Sequence, residues 1–244
     1  MILENVLNLI FPIKCGICGK IGLPICNDCE KLLKKYEINL LENDYIEIEK
    51  NLEIKKINLK RENKYNLKNS NNQKNNSKIK VKKIFIYRYD GIIRKMLVNY
   101  KFNDASYLAD TFAYLIKNNK KIYDILKTYD IILPVPLHRK RKLERGYNQT
   151  ELIARKLGIK YETNCLVKTK NIKPQSKNDA KKRKTEIKDV FKIQNIAKIK
   201  NKKVLILDDI YTTGATANEC IKTVSIATNK IGFVSLARDY MKYY

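Results

Sequence analysis

The chain has 244 residues, enough for one sizeable core and a small appendage. No apolar run approaches the roughly 20 residues needed to cross a bilayer, which excludes a transmembrane helix. The formal net charge of +26 creates a field that attracts polyanions such as nucleic acid. Only nine of the 51 basic residues are arginine, so biased composition also contributes to that charge.

Met1 to Pro12 is apolar on one side (Ile2, Leu3, Val6, Leu7, Ile10). Glu4 stands where a signal peptide has a basic region, and no small-residue cleavage site follows. A short amphipathic helix packed on its own domain is expected, in a cytoplasmic protein. Next come Cys15-Gly-Ile-Cys18 and Cys26-Asn-Asp-Cys29, two knuckles that can each offer a pair of thiolates to one tetrahedral ion. Zn2+ suits four soft ligands and would fold this module rather than catalyse, since a closed four-thiolate site keeps no open position. Two disulfides or a redox pair are the alternatives, and a reducing compartment disfavours the first. Gly16 and Gly19 are expected to ease the turns. Cys165 and Cys220 stand alone and read as core residues.

From about Leu40 to Lys80 the composition turns to Lys, Asn, Glu and Ile, and residues 63–78 (NKYNLKNSNNQKNNSK) carry almost nothing to bury. This is the pattern of a linker or insertion. Ile46 to Leu59 has apolar spacing suited to a helix or a hairpin. The expected organisation is an N-terminal helix and cysteine module over 1–38, a linker over 39–80 and a main domain over 81–244.

Order resumes at Val81. Residues 84–87 predict a strand, Ile92–Tyr100 and Tyr107–Lys117 helices, and Asp130–Leu137 a buried strand ending at prolines. A basic loop, His138 to Gly146, precedes a helix over Asn148–Leu157 for which Asn148 is a candidate cap. Residues 165–169 and 190–193 read as short strands around a polar, basic stretch at 176–188. Residues 204–216, VLILDDIYTTGAT, hold the most chemistry. Val204 to Leu207 is a run suited to a strand buried on both faces, ending at Asp208 and Asp209. Ala217, Cys220, Ile221, Val224 and Ala227 then mark one apolar helix face. The last strand is Gly232–Ala237. Strands alternating with helices imply an α/β fold with a parallel sheet, in which ligands bind past the carboxyl ends of the strands.

A strand entering a helix through Thr212, Thr213, Gly214, Ala215 and Thr216 builds an anion site. The first helical amides are unpaired, the helix dipole favours negative charge, and glycine permits close approach. The lysine of a nucleotide P-loop is missing. Two carboxylates upstream can instead accept hydrogen bonds from vicinal hydroxyls, which together describes a site for a ribose 5-phosphate group.

This stretch resembles the signature of type I phosphoribosyltransferases, which bind 5-phosphoribosyl-1-diphosphate (PRPP). The resemblance implies a type I phosphoribosyltransferase-like parallel sheet flanked by helices. It places the ribose on Asp208 and Asp209, the 5-phosphate on residues 212–216, and the diphosphate on a loop of Pro136, Leu137, His138 and Arg139. Mg2+ would accompany the diphosphate.

The order of motifs is similar to one subfamily. After the cysteine knuckles come Tyr87-x-Tyr89-x-Gly91, Lys101-Phe102, Pro134-Val-Pro-Leu-His138 and Arg145-Gly-Tyr-Asn-Gln149. Gln175, Arg183 and Phe191 follow, then the Asp-Asp loop. This resembles the ComF family, the competence-associated and GntX-like proteins, over about residues 5–35 and 84–238. Members are associated with handling single-stranded DNA during natural transformation. The resemblance therefore implies PRPP, single-stranded DNA and other competence proteins as partners, with Arg145, Gln175 and Arg183 as flexible-loop or nucleic-acid contacts. Two functions stay open: a phosphoribosyltransferase acting on an unidentified acceptor, and a catalytically silent PRPP-sensing or nucleic-acid-binding module. Tyr147 stands where the family has phenylalanine, and Glu186 where it usually has asparagine. Thr212 replaces the aspartate with which some purine transferases handle the base's proton, so no catalytic base is visible.

Overall fold

Among the described residues, four parallel strands and an antiparallel edge strand form the main sheet, with flanking helices and a separate two-stranded pair. The computed structural model describes residues 12–38, 45–49, 78–103, 105–171 and 189–240. The expected N-terminal helix, most of the linker and residues 176–188 lie outside them. In chain order the elements begin with α1 (Asn27–Lys34), β1 (Tyr45–Glu49), β2 (Lys78–Arg88), α2 (Gly91–Phe102) and α3 (Leu108–Asn118). Next are α4 (Lys120–Lys127), β3 (Ile131–Pro134), α5 (Arg139–Arg145), α6 (Gln149–Lys156), β4 (Leu166–Lys168) and β5 (Phe191–Ile193). The chain closes with β6 (Val204–Tyr211), α7 (Ala215–Val224) and β7 (Ile231–Arg238).

The sheet order is β1-β2-β7-β6-β3. Strands β2, β7, β6 and β3 run parallel, and β1 lies antiparallel on β2. Strands β4 and β5 form a separate antiparallel pair. The apolar runs in β3, β6 and β7 are buried on both faces, as parallel strands require. On one face Ile84, Ile86, Leu205 and Leu207 pack with Ile93, Leu97 and Tyr100 of α2, Leu108 and Phe112 of α3, and Ile153 of α6. On the other, Phe85, Leu133, Ile206 and Phe233 pack with the Ala217, Cys220, Ile221 and Val224 stripe of α7, and with Leu166 and Phe191 of the small hairpin. The parallel sheet and the apolar helix face are thus as expected.

Several elements differ from the reading. Strand β6 continues past the two aspartates to Tyr211, because β7 goes on pairing with it (Ile210↔Ala237, Tyr211↔Arg238). The aspartates are therefore held within a ladder instead of at a fraying end. The expected basic loop is the helix α5, started by His138 Nδ1 accepting from the Lys140 amide (3.3 Å) and closed by Gly146 at φ +79°. Helix α4 was not anticipated. It buries only Ile122 and Leu126 and is capped by Asn119, which accepts from the Ile122 amide at 3.2 Å. Strand β1 overlaps the start of the Ile46–Leu59 stretch for which a helix or hairpin is expected, and it pairs antiparallel with β2.

The cysteine module shares the main core. Cys15, Ile25, Cys29 and Leu33 are buried in the same apolar cluster as α2 and α3, and Thr111 Oγ1 donates to the Pro24 carbonyl at 3.0 Å. Gly19, at φ +76°, supplies the left-handed turn of the first knuckle. Gly16 has a different role. A Cβ there would lie 2.7 Å from both Leu108 Cδ2 and Thr111 Oγ1, so it lets the knuckle sit against α3.

Candidate functional site

Strands β3 and β6 end side by side. Pro134 is level with Leu207, and the Val135 amide donates to the Leu207 carbonyl at 2.8 Å. This brings the 136–139 and 208–216 segments to one edge of the sheet. Asp208 is buried, and its Oδ1 accepts from the Asp209 amide at 2.8 Å. Burial, with the neighbouring charge of Asp209, pushes the Asp208 carboxyl up to about 7 against the pull of Lys101 and Lys168. Asp209 pairs with Lys101 Nζ at 2.9 Å, and both side chains are largely covered. Lys168, from the small hairpin, has its ammonium lowered by burial while Cys220 and Asp208 oppose that shift. Asp209 and Ile210 both turn toward the α2 side, which returns Tyr211 to the α7 face beside Phe85 and Phe233.

The turn after β6 has the geometry of an anion cradle. Gly214, at φ +78°, is the N-cap of α7 and has no side chain with which to cap it. The Asn218 amide is the first to bond within the helix, to the Gly214 carbonyl at 2.8 Å. Thr213 Oγ1 accepts from the Ala215 amide at 3.4 Å. The amides of Thr216 and Ala217 belong to the first turn, where an α-helix offers no internal acceptor. No acid lies in that turn. A Cβ on Gly214 would fall 2.3 Å from Tyr211 Oη, so no other residue fits without moving the tyrosine.

The Arg145–Gln149 motif staples the site. Tyr147 Oη donates to the Tyr100 carbonyl at 2.6 Å, and Tyr100 Oη donates to the Gln149 carbonyl at 2.8 Å. Asn148 Nδ2 (3.1 Å) and Thr150 Oγ1 (2.9 Å) both donate to the Val135 carbonyl. Asn148 also caps α6 by accepting from the Thr150 amide at 3.3 Å, as its place before the helix suggested. The motif thus ties the end of α2, which carries Lys101, to the start of the 136–139 segment. The Arg145 guanidinium stacks on Phe102 at 5.5 Å, and burial and Arg141 lower its pKa while Asp209 opposes them. Pro136 has no N–H, so only Leu137, His138 and Arg139 can offer amides there. Gln175 and Arg183 lie outside the described residues.

The sequence alone assigns no contact to Lys101 and no role to Lys168 or Tyr211. Nothing local marks one lysine among so many, because each reaches the site only through tertiary packing.

The Sγ atoms of Cys15, Cys18, Cys26 and Cys29 all lie within 4.8 Å of one another, and all four are free. Cys18 and Cys26 Sγ are 3.7 Å apart. A tetrahedral ion with metal–sulfur bonds of about 2.3 Å requires sulfurs about 3.8 Å apart, so the set fits one four-thiolate ion. Burial raises the Cys15 thiol, but the amides of Cys18, Cys26 and Ile17 outweigh it and bring the pKa to about 6.

These features define an α/β protein whose sheet edge joins an acidic strand end to an open helix mouth, with a four-cysteine module able to hold a metal. No family model matches the chain. Over 169 residues it is 30% identical to "Competence protein F" of Haemophilus influenzae, covering 64% of this chain and 72% of that protein. The chain belongs to the competence protein F (ComF) family. It is also 33% identical over 145 residues to "Competence protein ComFC" of Streptococcus pneumoniae, covering 59% and 62% of the two chains. Among solved structures it matches adenine phosphoribosyltransferase of Leishmania donovani at 15% identity, over 52% of this chain and 68% of that one. The TM-score of 0.26 is too slight to carry weight.

Proposed function

We propose that the sheet edge binds PRPP and that the protein serves the handling of single-stranded DNA in natural competence. The observation that carries the first part is the juxtaposition of Asp208 and Asp209 with the uncapped mouth of α7 around Gly214. Amides of the turn and of α7 hold the 5-phosphate, with Thr212, Thr213 and Thr216 adding hydroxyl donors. The two carboxylates accept from the ribose hydroxyls. Leu137, His138 and Arg139, with Arg145 near Asp209, face the diphosphate. Mg2+ bound with the donor would neutralise leaving-group charge. In transfer the C1–oxygen bond breaks with its electron pair leaving on diphosphate, and the acceptor's nucleophile bonds to C1 and sheds its proton. The four cysteines hold Zn2+, which matches their softness and tetrahedral spacing. The competence names of the relatives and the charge of +26 support the DNA part.

A silent, PRPP-sensing role is the second reading. Lys101 already pairs with Asp209 at 2.9 Å, so that carboxylate is engaged before any ribose arrives.

Calorimetry with PRPP and Mg2+ tests the site. The wild type should bind, and Asp209→Ala should weaken binding at least about tenfold, the usual loss when a charged hydrogen-bond acceptor is removed. No wild-type binding would end the proposal. Diphosphate release with and without candidate bases in the same samples separates transferase from sensor. Affinity for a single-stranded oligonucleotide should fall steeply with salt, and a flat salt dependence would contradict an electrostatic DNA role.

A further inference from the structure

A buried lysine sits beneath the glycine turn. Lys83 on β2 is only 6% exposed. Its Nζ donates to Tyr211 Oη at 3.3 Å and lies 5.2 Å from the Tyr211 ring centroid and 6.0 Å from that of Phe85. Tyr211 Oη in turn is pressed against Gly214, as the 2.3 Å approach to a Cβ there shows. Arg238 covers the Phe85 ring at 4.7 Å and the Tyr211 ring at 5.9 Å. The tyrosine that floors the turn is thus flanked by two cations, on the same face of the sheet as the buried Asp208.

We infer that Lys83 is the positioning cation of the anion cradle, doing from below what a P-loop lysine does from within the turn. The inference rests on the ribose 5-phosphate reading and specifies its ligand class, a phosphate monoester dianion. An anion seated beside two carboxylates needs a compensating charge, and the turn itself supplies none. A cation held in a low-dielectric wall acts over several ångströms with little screening. Accepting from Lys83 leaves the Tyr211 hydroxyl free to point its own proton toward the turn and polarises it for donation.

The test compares ribose 5-phosphate with its 5-(methyl phosphate) diester, which carries one negative charge fewer, by calorimetry on the full chain. Lys83→Met should weaken the dianion about tenfold and the diester about threefold, because a charge effect scales with ligand charge. Tyr211→Phe should weaken the dianion by a smaller factor, and adding it to Lys83→Met should cost little more, since the two act as a unit. Wild-type binding with Lys83→Met within twofold, or with equal losses for both ligands, would overturn the inference and leave the site reading standing. Wild-type binding of neither ligand would remove the site reading and this inference with it. Should Lys83→Met not fold, Tyr211→Phe decides alone: an unchanged dianion affinity refutes the link.

Discussion

At pH 8 an Asp208→Asn protein should melt several degrees above the wild type while losing affinity for PRPP at least about tenfold. Asp208 is buried and shares the edge with Asp209, so its folded-state carboxyl titrates near 7, against about 3.9 in an unfolded chain. Between those values the folded chain holds a proton that the unfolded chain has released. Stability from this group is therefore complete below about pH 4 and is lost as the pH rises to about 7. Asparagine has no such proton to lose. The mutant's advantage should reach about 2–4 kcal/mol above pH 7 and vanish near pH 4. Scanning calorimetry at pH 4.5 and 8 checks this. A mutant less stable than the wild type at pH 8 would mean that the Asp208 charge is well paired and not strained.

Removing the metal should have the largest effect on stability. A structural four-thiolate zinc contributes on the order of 10 kcal/mol of binding free energy, and here the module is not detachable. Cys15, Ile25, Cys29 and Leu33 pack in one cluster with Leu108 and Phe112 of α3, so unfolding the knuckles uncovers the α2–α3 layer. Metal analysis should find about one zinc per chain. A strong chelator, or Cys29→Ser at a buried ligand, should lower the melting temperature by about 10 °C or more. Cys18→Ser, at an exposed ligand, should be milder. Metal-free protein with an unchanged melting curve would refute the four-thiolate role.

What could be read from the sequence follows from how local its cause is. The β6 run, the α7 stripe and the C-x2-C pairs are encoded within a few residues of themselves, and each formed as expected. Helix α4 escaped because Ile122 and Leu126 are its only buried residues among lysines. Helix α5 looked like a loop for a similar reason. Its single large apolar residue, Leu143, points to solvent, and only His138 and Gly146 at its ends define it. Gly16 reads from sequence as a turn residue, because the approach of α3 cannot be seen locally. Strand β6 outran its predicted end because pairing with β7, not its own composition, decides its length. Around the proposed site, the acids and the glycine turn stand together in the sequence, whereas Lys83, Lys101 and Lys168 arrive from three other elements. The Arg145–Gln149 motif was visible, but its work as a staple between α2 and β3 depends on carbonyls 13 to 49 residues away.

The most direct test is a crystal structure of the protein with PRPP and Mg2+. The 5-phosphate should accept hydrogen bonds, at about 3 Å, from amides between Thr213 and Ala217, with the ribose hydroxyls donating to Asp208 and Asp209. A donor bound with its 5-phosphate away from the Gly214 turn, or with both aspartates out of reach of the ribose hydroxyls, would contradict the account.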